Sequence, residues 1–342
     1  MQLTALDIQK TGKIPMNFVA GKERSGTTLL QVMLNAHPNI VAPPESRFII
    51  LLCRRYGHIK QWTEKNITDF CDELYREMRF RNRWMLNKSE IVASLMPVRQ
   101  YLTYPLLCKT IFRLFAGEQK DVKLLFDKNP VYYYYLPQLE KIFPEARFIH
   151  LVRDYRANIA SYKRVFNPKR SVDLAYRWVR TNMRIEERKA ELKDRYITVK
   201  YETLVSEPEN TMKEICSFFN VAYNGNMDKD LVKVLYPSFA EMNRPRFLEA
   251  HGSLLEPINT SHIDEWKQKL MPEEVAEAEA VAGDYGEKLY GYKKTSPVKV
   301  TIGFARMTTA KLKYYGVRQL YKIILKRLWL YYFVKHKIWK DF

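Results

Sequence analysis

The sequence has 342 residues, 46 % of them in the hydrophobic set and 28 % charged, which suits one large α/β domain with elaborations and a sizeable core. The formal net charge is +19, so anionic partners are expected: a nucleotide, an acidic acceptor, nucleic acid or a membrane surface. The longest purely apolar run, Leu328–Val334, falls far short of the roughly twenty residues a spanning helix needs, which argues against a membrane crossing.

Met1 to Lys13 has no apolar h-region, so no secretory signal is expected. The four cysteines, Cys53, Cys71, Cys108 and Cys216, form no C-x-x-C pair and no cluster with histidine. They read as small apolar residues in a reducing compartment, and no metal is expected.

The first strong pattern is Phe18-Val19-Ala20, a short apolar run that reads as a buried strand. A loop with Gly21 and Gly26 follows. Then Leu29, Leu30, Met33 and Leu34 recur at helical spacing over 27–36. Strand, glycine loop and helix N-terminus together make an anion site, because loop amides and the first-turn amides point at one spot. The spacing is the G-x-x-x-x-G of a P-loop, but Thr27 and Thr28 stand where a nucleotide triphosphatase carries Lys-Ser/Thr. That lysine neutralises the β and γ phosphates, so its absence argues against a triphosphate ligand. Arg24 lies inside the loop, and its fork of donors suits a phosphate together with a neighbouring anionic group. The plainer alternative is a Gly/Ser/Thr turn entering a core helix.

His37-Pro38 ends the helix. Residues 40–42 can form a short strand, Pro43-Pro44 a stiff turn, and Glu45 follows it. Residues 46–120 form a long helical insertion, with helices expected near 64–79, 89–96 and 99–116. Its aromatic residues Trp62, Tyr75, Phe80, Trp84, Tyr101, Tyr104, Phe112 and Phe115 read mostly as packing, with some left to line an acceptor pocket. Val122–Asp127 is the second core strand, and Lys128-Asn-Pro130 leads to a helix around 136–143. Arg147–Val152 is the third, ending at Arg153-Asp154, with helices through Tyr162 and over 172–192. Tyr196–Val199 is the fourth, closed by 201–205 and followed by a helix over 208–219. Strands alternating with helices imply a parallel sheet with ligands at the strands' carboxyl ends, where Gly21, Lys128, Arg153 and Tyr201 all fall. Residues 221–262 read as an irregular lid or binding loop, and helices resume over 263–270 and 273–289.

From Lys299 onward eleven Lys and Arg face a single Asp. Val317, Leu320, Ile324, Leu328 and Tyr331 fall at helical spacing, with Arg318, Lys322 and Lys326 on another face. Such a helix lies in a membrane interface with Trp329 and Trp339 at headgroup depth, or packs on the domain with a solvated basic face.

Gly21-Lys-Glu-Arg-Ser-Gly-Thr-Thr28, continuing to His37-Pro38, resembles the 5′-phosphosulfate loop of the sulfotransferases that use 3′-phosphoadenosine 5′-phosphosulfate, PAPS. With R-S-G-T-T, H-P and a Glu shortly after, it is most similar to the protein-tyrosine sulfotransferase branch and its bacterial relatives. The resemblance covers residues 16–47, 122–165 and 196–219 well and 251–292 loosely. It implies a P-loop-like parallel sheet flanked by helices in a sulfotransferase domain over 1–295, and it covers neither the insertion over 46–120 nor the basic aromatic helical tail read over 296–342. It further implies that the amides of Ser25, Gly26, Thr27 and Thr28 hold the 5′-phosphate while Arg24 spans phosphate and sulfate. Lys128 occupies the family's K-D-P or K-T-P position and would neutralise the bridging oxygen; Asn129 departs from that pattern. Arg153 and Ser161 match R-D-x-R-x-x-x-x-S, the 3′-phosphate site, with Lys163 or Arg164 adding charge. Tyr201 matches the tyrosine near adenine, and Ser261 and Lys267 match a late cofactor segment loosely.

None of the six histidines stands where the cytosolic branch carries its base. Glu45 lies twenty-one residues after Arg24, where the tyrosine-sulfating branch carries its catalytic Glu. It is the expected general base. Plainer roles remain open: Glu45 fixing Arg47 or Arg24, Lys128 as a solvated loop lysine, Arg153-Asp154 as a surface ion pair, Tyr201 as core. The expected activity is transfer of a sulfuryl group from PAPS, leaving adenosine 3′,5′-bisphosphate. The acceptor is a lipophilic alcohol such as a sterol or lipid, with a glycan or tyrosine hydroxyl as alternative. A P-loop kinase or NTPase competes, since Leu124–Asp127 looks like a Walker B strand. A nucleic-acid or membrane-binding module would explain the tail but not the strand-end motifs, and no nucleic acid is expected. The expected location is cytoplasmic, peripheral on the inner membrane face through the tail.

Overall fold

The computed structural model describes residues 3–117, 121–166, 170–225 and 252–326. Five parallel strands form the sheet: β1 Met16–Gly21, β2 Ile40–Val41, β3 Leu124–Lys128, β4 Phe148–Val152 and β5 Tyr196–Lys200. Their order is β2-β3-β1-β4-β5, so the loops leaving β1, β3 and β4 are neighbours at one edge. Val19 lies opposite Lys128 and Gly21 opposite Leu151 in the register. β1 is buried along its whole length, as a central strand covered on both faces must be.

The helices are α1 Ala5–Lys13, α2 Thr27–Ala36, α3 Phe48–Tyr56, α4 Glu64–Arg76, α5 Met78–Arg83, α6 Lys88–Leu95 and α7 Tyr104–Ala116. After β3 come α8 Leu136–Ile142, α9 Tyr155–Val165, α10 Ser171–Glu191, α11 Tyr201–Ser206, α12 Pro208–Phe218, α13 Trp266–Lys269, α14 Pro272–Tyr290 and α15 Phe304–Lys326. Leu30 and Leu34 of α2 and Met212 and Ile215 of α12 pack on Val19, Phe126 and Leu151. The opposite face carries Phe18, Leu125 and Phe148 into a core shared with α3–α8.

The strand and helix expectations hold over most of the chain, but the helix expected over 64–79 breaks at Glu77 into α4 and α5, and four further differences stand out. α1 is unanticipated, although Thr4 and Asp7 form a capping box at its start. α3 is also unanticipated, because Phe48-Ile-Ile-Leu-Leu52 is buried all round and shows no helical period. Residues 201–205 form a helix rather than an extension of β5. In 263–270 only four residues are helical. Of the aromatic residues in 46–120, Trp62, Phe80, Trp84, Tyr104 and Phe112 are core, while Tyr101 is exposed. The central part of the expected lid, 226–251, lies outside the described residues. So do Leu328, Trp329, Tyr331 and Trp339 of the tail.

Candidate functional site

The loop after β1 is shaped by close approaches. A Cβ on Gly21 would stand 2.5 Å from the Leu151 carbonyl oxygen, and one on Gly26 would stand 2.4 Å from the Tyr201 ring. Gly26 is the N-cap of α2 at φ 89°, a left-handed conformation that favours glycine, and Arg24 shares that region at φ 69°. The Asn158 side-chain amide donates to the Glu23 carbonyl at 2.8 Å and to Ser25 Oγ at 3.1 Å. No side chain caps α2, so its first-turn amides are left for an anion.

Two cationic clusters flank this N-terminus. On the β4 side, Arg24 Nε donates to Ser161 Oγ at 3.2 Å, and Arg153 Nη1 donates to the Arg24 carbonyl at 3.2 Å. Arg153 Nη2 donates to the His262 carbonyl at 2.5 Å, and its guanidinium lies 4.2 Å from the Tyr201 ring centre. Arg153 Nε is buried with no hydrogen-bond partner among the described residues. Burial, with Arg164 and Arg153 beside it, lowers the Arg24 guanidinium to about 10. Burial lowers Arg153 as well. Cations pushed below their usual values are cations short of negative charge, which a bound anion supplies.

On the β3 side, Lys128 Nζ donates to Thr28 Oγ1 at 3.2 Å and pairs with Glu45 Oε1. Glu45 Oε2 accepts from Arg79 Nη1 at 2.8 Å. Burial pushes the Glu45 carboxyl up, but Lys128 and Arg79 outweigh it and hold it well below the usual carboxylate range. Burial pulls Lys128 below its usual value, and Glu45 opposes the drop. The backbone around Glu45 is pinned on both sides. The Trp84 indole donates to the Pro44 carbonyl at 2.9 Å, and the Asn129 amide donates to the Ser46 carbonyl at 3.5 Å. Asn129, the departure from the family pattern, thus ties the Lys128 segment to the Glu45 segment.

The structure brings Arg24, Ser25, Gly26, Thr27, Thr28, Glu45, Lys128, Arg153, Ser161 and Tyr201 to this one edge of the sheet. Glu45 pairs with Lys128 and Arg79, not with the Arg47 or Arg24 considered as its structural partners. Lys128 is 1 % exposed and is no solvated loop lysine. Arg153 is buried and makes no surface ion pair with Asp154, whose carboxylate holds Arg156 instead. Ser261 and Lys267 do not join. Ser261 is exposed and donates to Asn259 Oδ1, and Lys267 pairs with Asp264 in solvent. Their segment reaches the site through the His262 carbonyl, which accepts from Arg153. Lys163 pairs with Glu274 and Arg164 with Glu265, so both are neutralised by carboxylates.

The sequence reading missed Asn158, Arg79 and the Glu23–Arg177 pair. Burial raises the Glu23 carboxyl, yet Lys22 and Arg177 bring it down to about 2, so it is a fixed charge under the loop. Asn158 had a signal, since it stands one helical turn before Ser161 on α9. Arg79 had none.

Strand parity decides the Walker B question. Residues alternate faces along β3, so Phe126 and Lys128 face α2, while Leu125 and Asp127 face the other core. Asp127 accepts from the Tyr132 hydroxyl there and points away from the loop. Among the described residues no group of His, Cys, Asp and Glu is placed to hold a metal ion.

The profile of the Sulfotransferase family matches residues 15–225. Protein-tyrosine sulfotransferase 1 of Danio rerio is 26 % identical over 267 residues, covering 75 % of this chain and 67 % of that protein. The protein-tyrosine sulfotransferase of Drosophila melanogaster is 24 % identical over 268 residues, covering 74 % and 47 %. The chain therefore spans roughly half to two thirds of the length of these relatives. Among solved structures, the sulfotransferase domain from the Curacin biosynthetic pathway superposes with a TM-score of 0.53 at 20 % identity, covering 80 % of this chain and 98 % of that one. The sulfotransferase domain from the Synechococcus PCC 7002 olefin synthase gives 0.51 at 24 %, covering 79 % and 96 %. The chain belongs to the sulfotransferase family and has that family's fold.

Proposed function

We propose that the protein transfers a sulfuryl group from PAPS to an acceptor hydroxyl. The observation that carries this reading is the convergence of Lys128 and the Arg24–Ser161–Arg153 cluster on the uncapped N-terminus of α2. The residues fit the donor: Arg153 Nε is a buried donor in want of an acceptor, and Arg24 and Arg153 are both depressed by burial. When bound, PAPS supplies the sulfuryl group that the acceptor oxygen takes as the bond to the 5′-phosphate oxygen breaks.

In this reading Arg24 and the amides of residues 25–28 hold the phosphosulfate, and Arg153 and Ser161 hold the 3′-phosphate. Tyr201 is fixed between Gly26 and Arg153, where its ring can meet the base. Lys128 neutralises the leaving oxygen. Glu45 takes the acceptor's proton, and Arg79 holds it in place. Ser261 and Lys267 stay in the proposal only as residues of the segment that Arg153 touches.

The acceptor we propose is a lipophilic alcohol such as a sterol or lipid. A tyrosine hydroxyl is the second reading, favoured by the similarity to protein-tyrosine sulfotransferases. The division at about residue 295 and a cytoplasmic, membrane-peripheral location belong to the same proposal. The test is incubation with sulfur-labelled PAPS and a panel of sterols, lipids, tyrosine peptides and glycans. Label on none of them, with tighter binding of ATP–magnesium than of adenosine 3′,5′-bisphosphate, would overturn the reading in favour of a kinase.

A further inference from the structure

The helix α15 is fastened chiefly on α10, with lesser contacts to the segments that follow Lys128 and Glu45. Ala310 and Tyr314 of α15 are buried against the domain. The Tyr314 ring centre lies 6.4 Å from that of Tyr134 and 5.9 Å from that of Tyr176 on α10. Lys313 Nζ pairs with Asp173 at 2.6 Å, and Arg306 pairs with Glu277. Tyr134 ends the short helical turn that starts two residues after Lys128. α15 also packs on α3, which starts three residues after Glu45. The inner face of α15 is thus anchored on the segments that leave both Lys128 and Glu45.

Its outer face is open and mixes large apolar side chains with Thr308, Thr309, Gly316 and Gln319. Phe304 is 87 % exposed and Leu312 68 %, and Tyr315, Leu320 and Ile323 are exposed too. Leu312, Tyr315, Leu320 and Ile323 share one arc of about 140° at 3.6 residues per turn. An exposed stripe of this kind marks an interaction surface. The charge beside it has one sign. No Asp or Glu occurs between Glu287 and Asp341, and Lys299, Lys311 and Arg318 lie along or beside the helix. Among the described residues no helix is long and apolar enough to cross a membrane. Large apolar side chains edged by cations fit an interfacial site on a negative surface.

We propose that the outer face of α15 docks the protein on an anionic bilayer surface, with the acceptor side of the site held against it. The acceptor class that follows is an amphiphile: a hydroxyl-bearing lipid resident in the leaflet. That second part rests on the sulfotransferase reading, whereas docking does not.

The experiment is co-sedimentation of the full chain with phosphatidylcholine vesicles, with and without phosphatidylglycerol, at low and high salt. Binding to the anionic vesicles, weakened by salt, is expected. The double variant L312E/I323E changes only exposed side chains, so its melting temperature stays at the wild-type value while vesicle binding falls at least tenfold. K311E/R318E loses about fivefold affinity per cation, for anionic vesicles only. Absence of wild-type binding, or L312E/I323E binding as well as wild type, overturns the proposal. So does a wild-type dimer that L312E/I323E makes monomeric without any vesicle binding, which would assign the face to a second copy of the chain. Labelled PAPS separates the two parts. Docking with no transfer to any acceptor sinks the sulfotransferase reading and leaves docking standing. Docking with transfer to a soluble phenol but not to a vesicle-borne sterol overturns the acceptor class.

Discussion

Lys128 and Glu45 form an ion pair in which each holds a second partner, Thr28 for the lysine and Arg79 for the carboxylate. The pair spans the gap between the helix that would hold the donor and the residue that would take the proton. Replacing Glu45 by Gln keeps the shape and removes the proposed base. Turnover is expected to fall by roughly 10²–10⁴, with binding of adenosine 3′,5′-bisphosphate nearly unchanged. Steady-state kinetics with a confirmed acceptor, beside calorimetric titration of the bisphosphate, check both halves. Wild-type turnover in the Gln variant would remove Glu45 from the chemistry.

With Glu45 as the proposed base, the second cation, Arg79, should set the pH range. A base must be ionised to work, and Lys128 and Arg79 keep the Glu45 carboxyl ionised far into acid. The acidic limb of kcat/KM should therefore lie below the ordinary carboxylate range. Arg79→Gln takes away one of the two charges and should move that limb upward by about one to two pH units. A limb that stays where it was would show that Arg79 does not tune Glu45.

Arg153 touches no part of the Lys128 cluster, so its loss should separate binding from chemistry. Arg153→Ala removes one or two charge-assisted contacts and should weaken bisphosphate binding by about 2–4 kcal/mol. At saturating donor, kcat should change far less. A variant that binds the bisphosphate like wild type would place the 3′-phosphate elsewhere.

Asp127 offers a test of stability. Burial pushes its carboxyl up to about 7, against the hydrogen bond from Tyr132. In the unfolded chain it loses its proton near pH 4, so between about 4 and 7 the folded state binds more protons. Stability contributed by this group therefore falls as pH rises through that window and is flat above it. At about 1.4 kcal/mol per pKa unit, the loss approaches roughly 4 kcal/mol. Asp127→Asn still accepts from Tyr132 and does not titrate. Its melting temperature relative to wild type should rise from pH 4 to 7 and then level off; a constant difference would refute the assignment.

The sheet and the phosphate loop were legible because each rests on local sequence: an apolar run, two glycines, a helical period. Arg24 was legible inside the glycine loop between β1 and α2, and Arg153 and Ser161 because their spacing along the β4–α9 unit is fixed. Arg79 was not, since it meets Glu45 across 34 positions through the fold of α3–α5, which no short-range pattern encodes. α3 escaped because its first five residues, Phe48 to Leu52, are all apolar and buried and so set no helical period. Ser261 and Lys267 were placed by loose likeness, and their own neighbours Asn259 and Asp264 hold them instead.

The central place of β1 has a consequence for how the chain is made. Met16 pairs with Leu125, and Phe18 with Phe148, so the first strand synthesised waits for partners more than a hundred residues away. At about 5–20 residues per second, β1 leaves the ribosome roughly 5–20 s before β3 exists. During that interval Phe18-Val19-Ala20 is an apolar strand with two open edges, the kind of segment that pairs with the wrong neighbour. Such long-range parallel pairing is slow to close. Shielding β1 while it waits should therefore raise yield: slower growth or added chaperones should increase the soluble fraction without altering the native state.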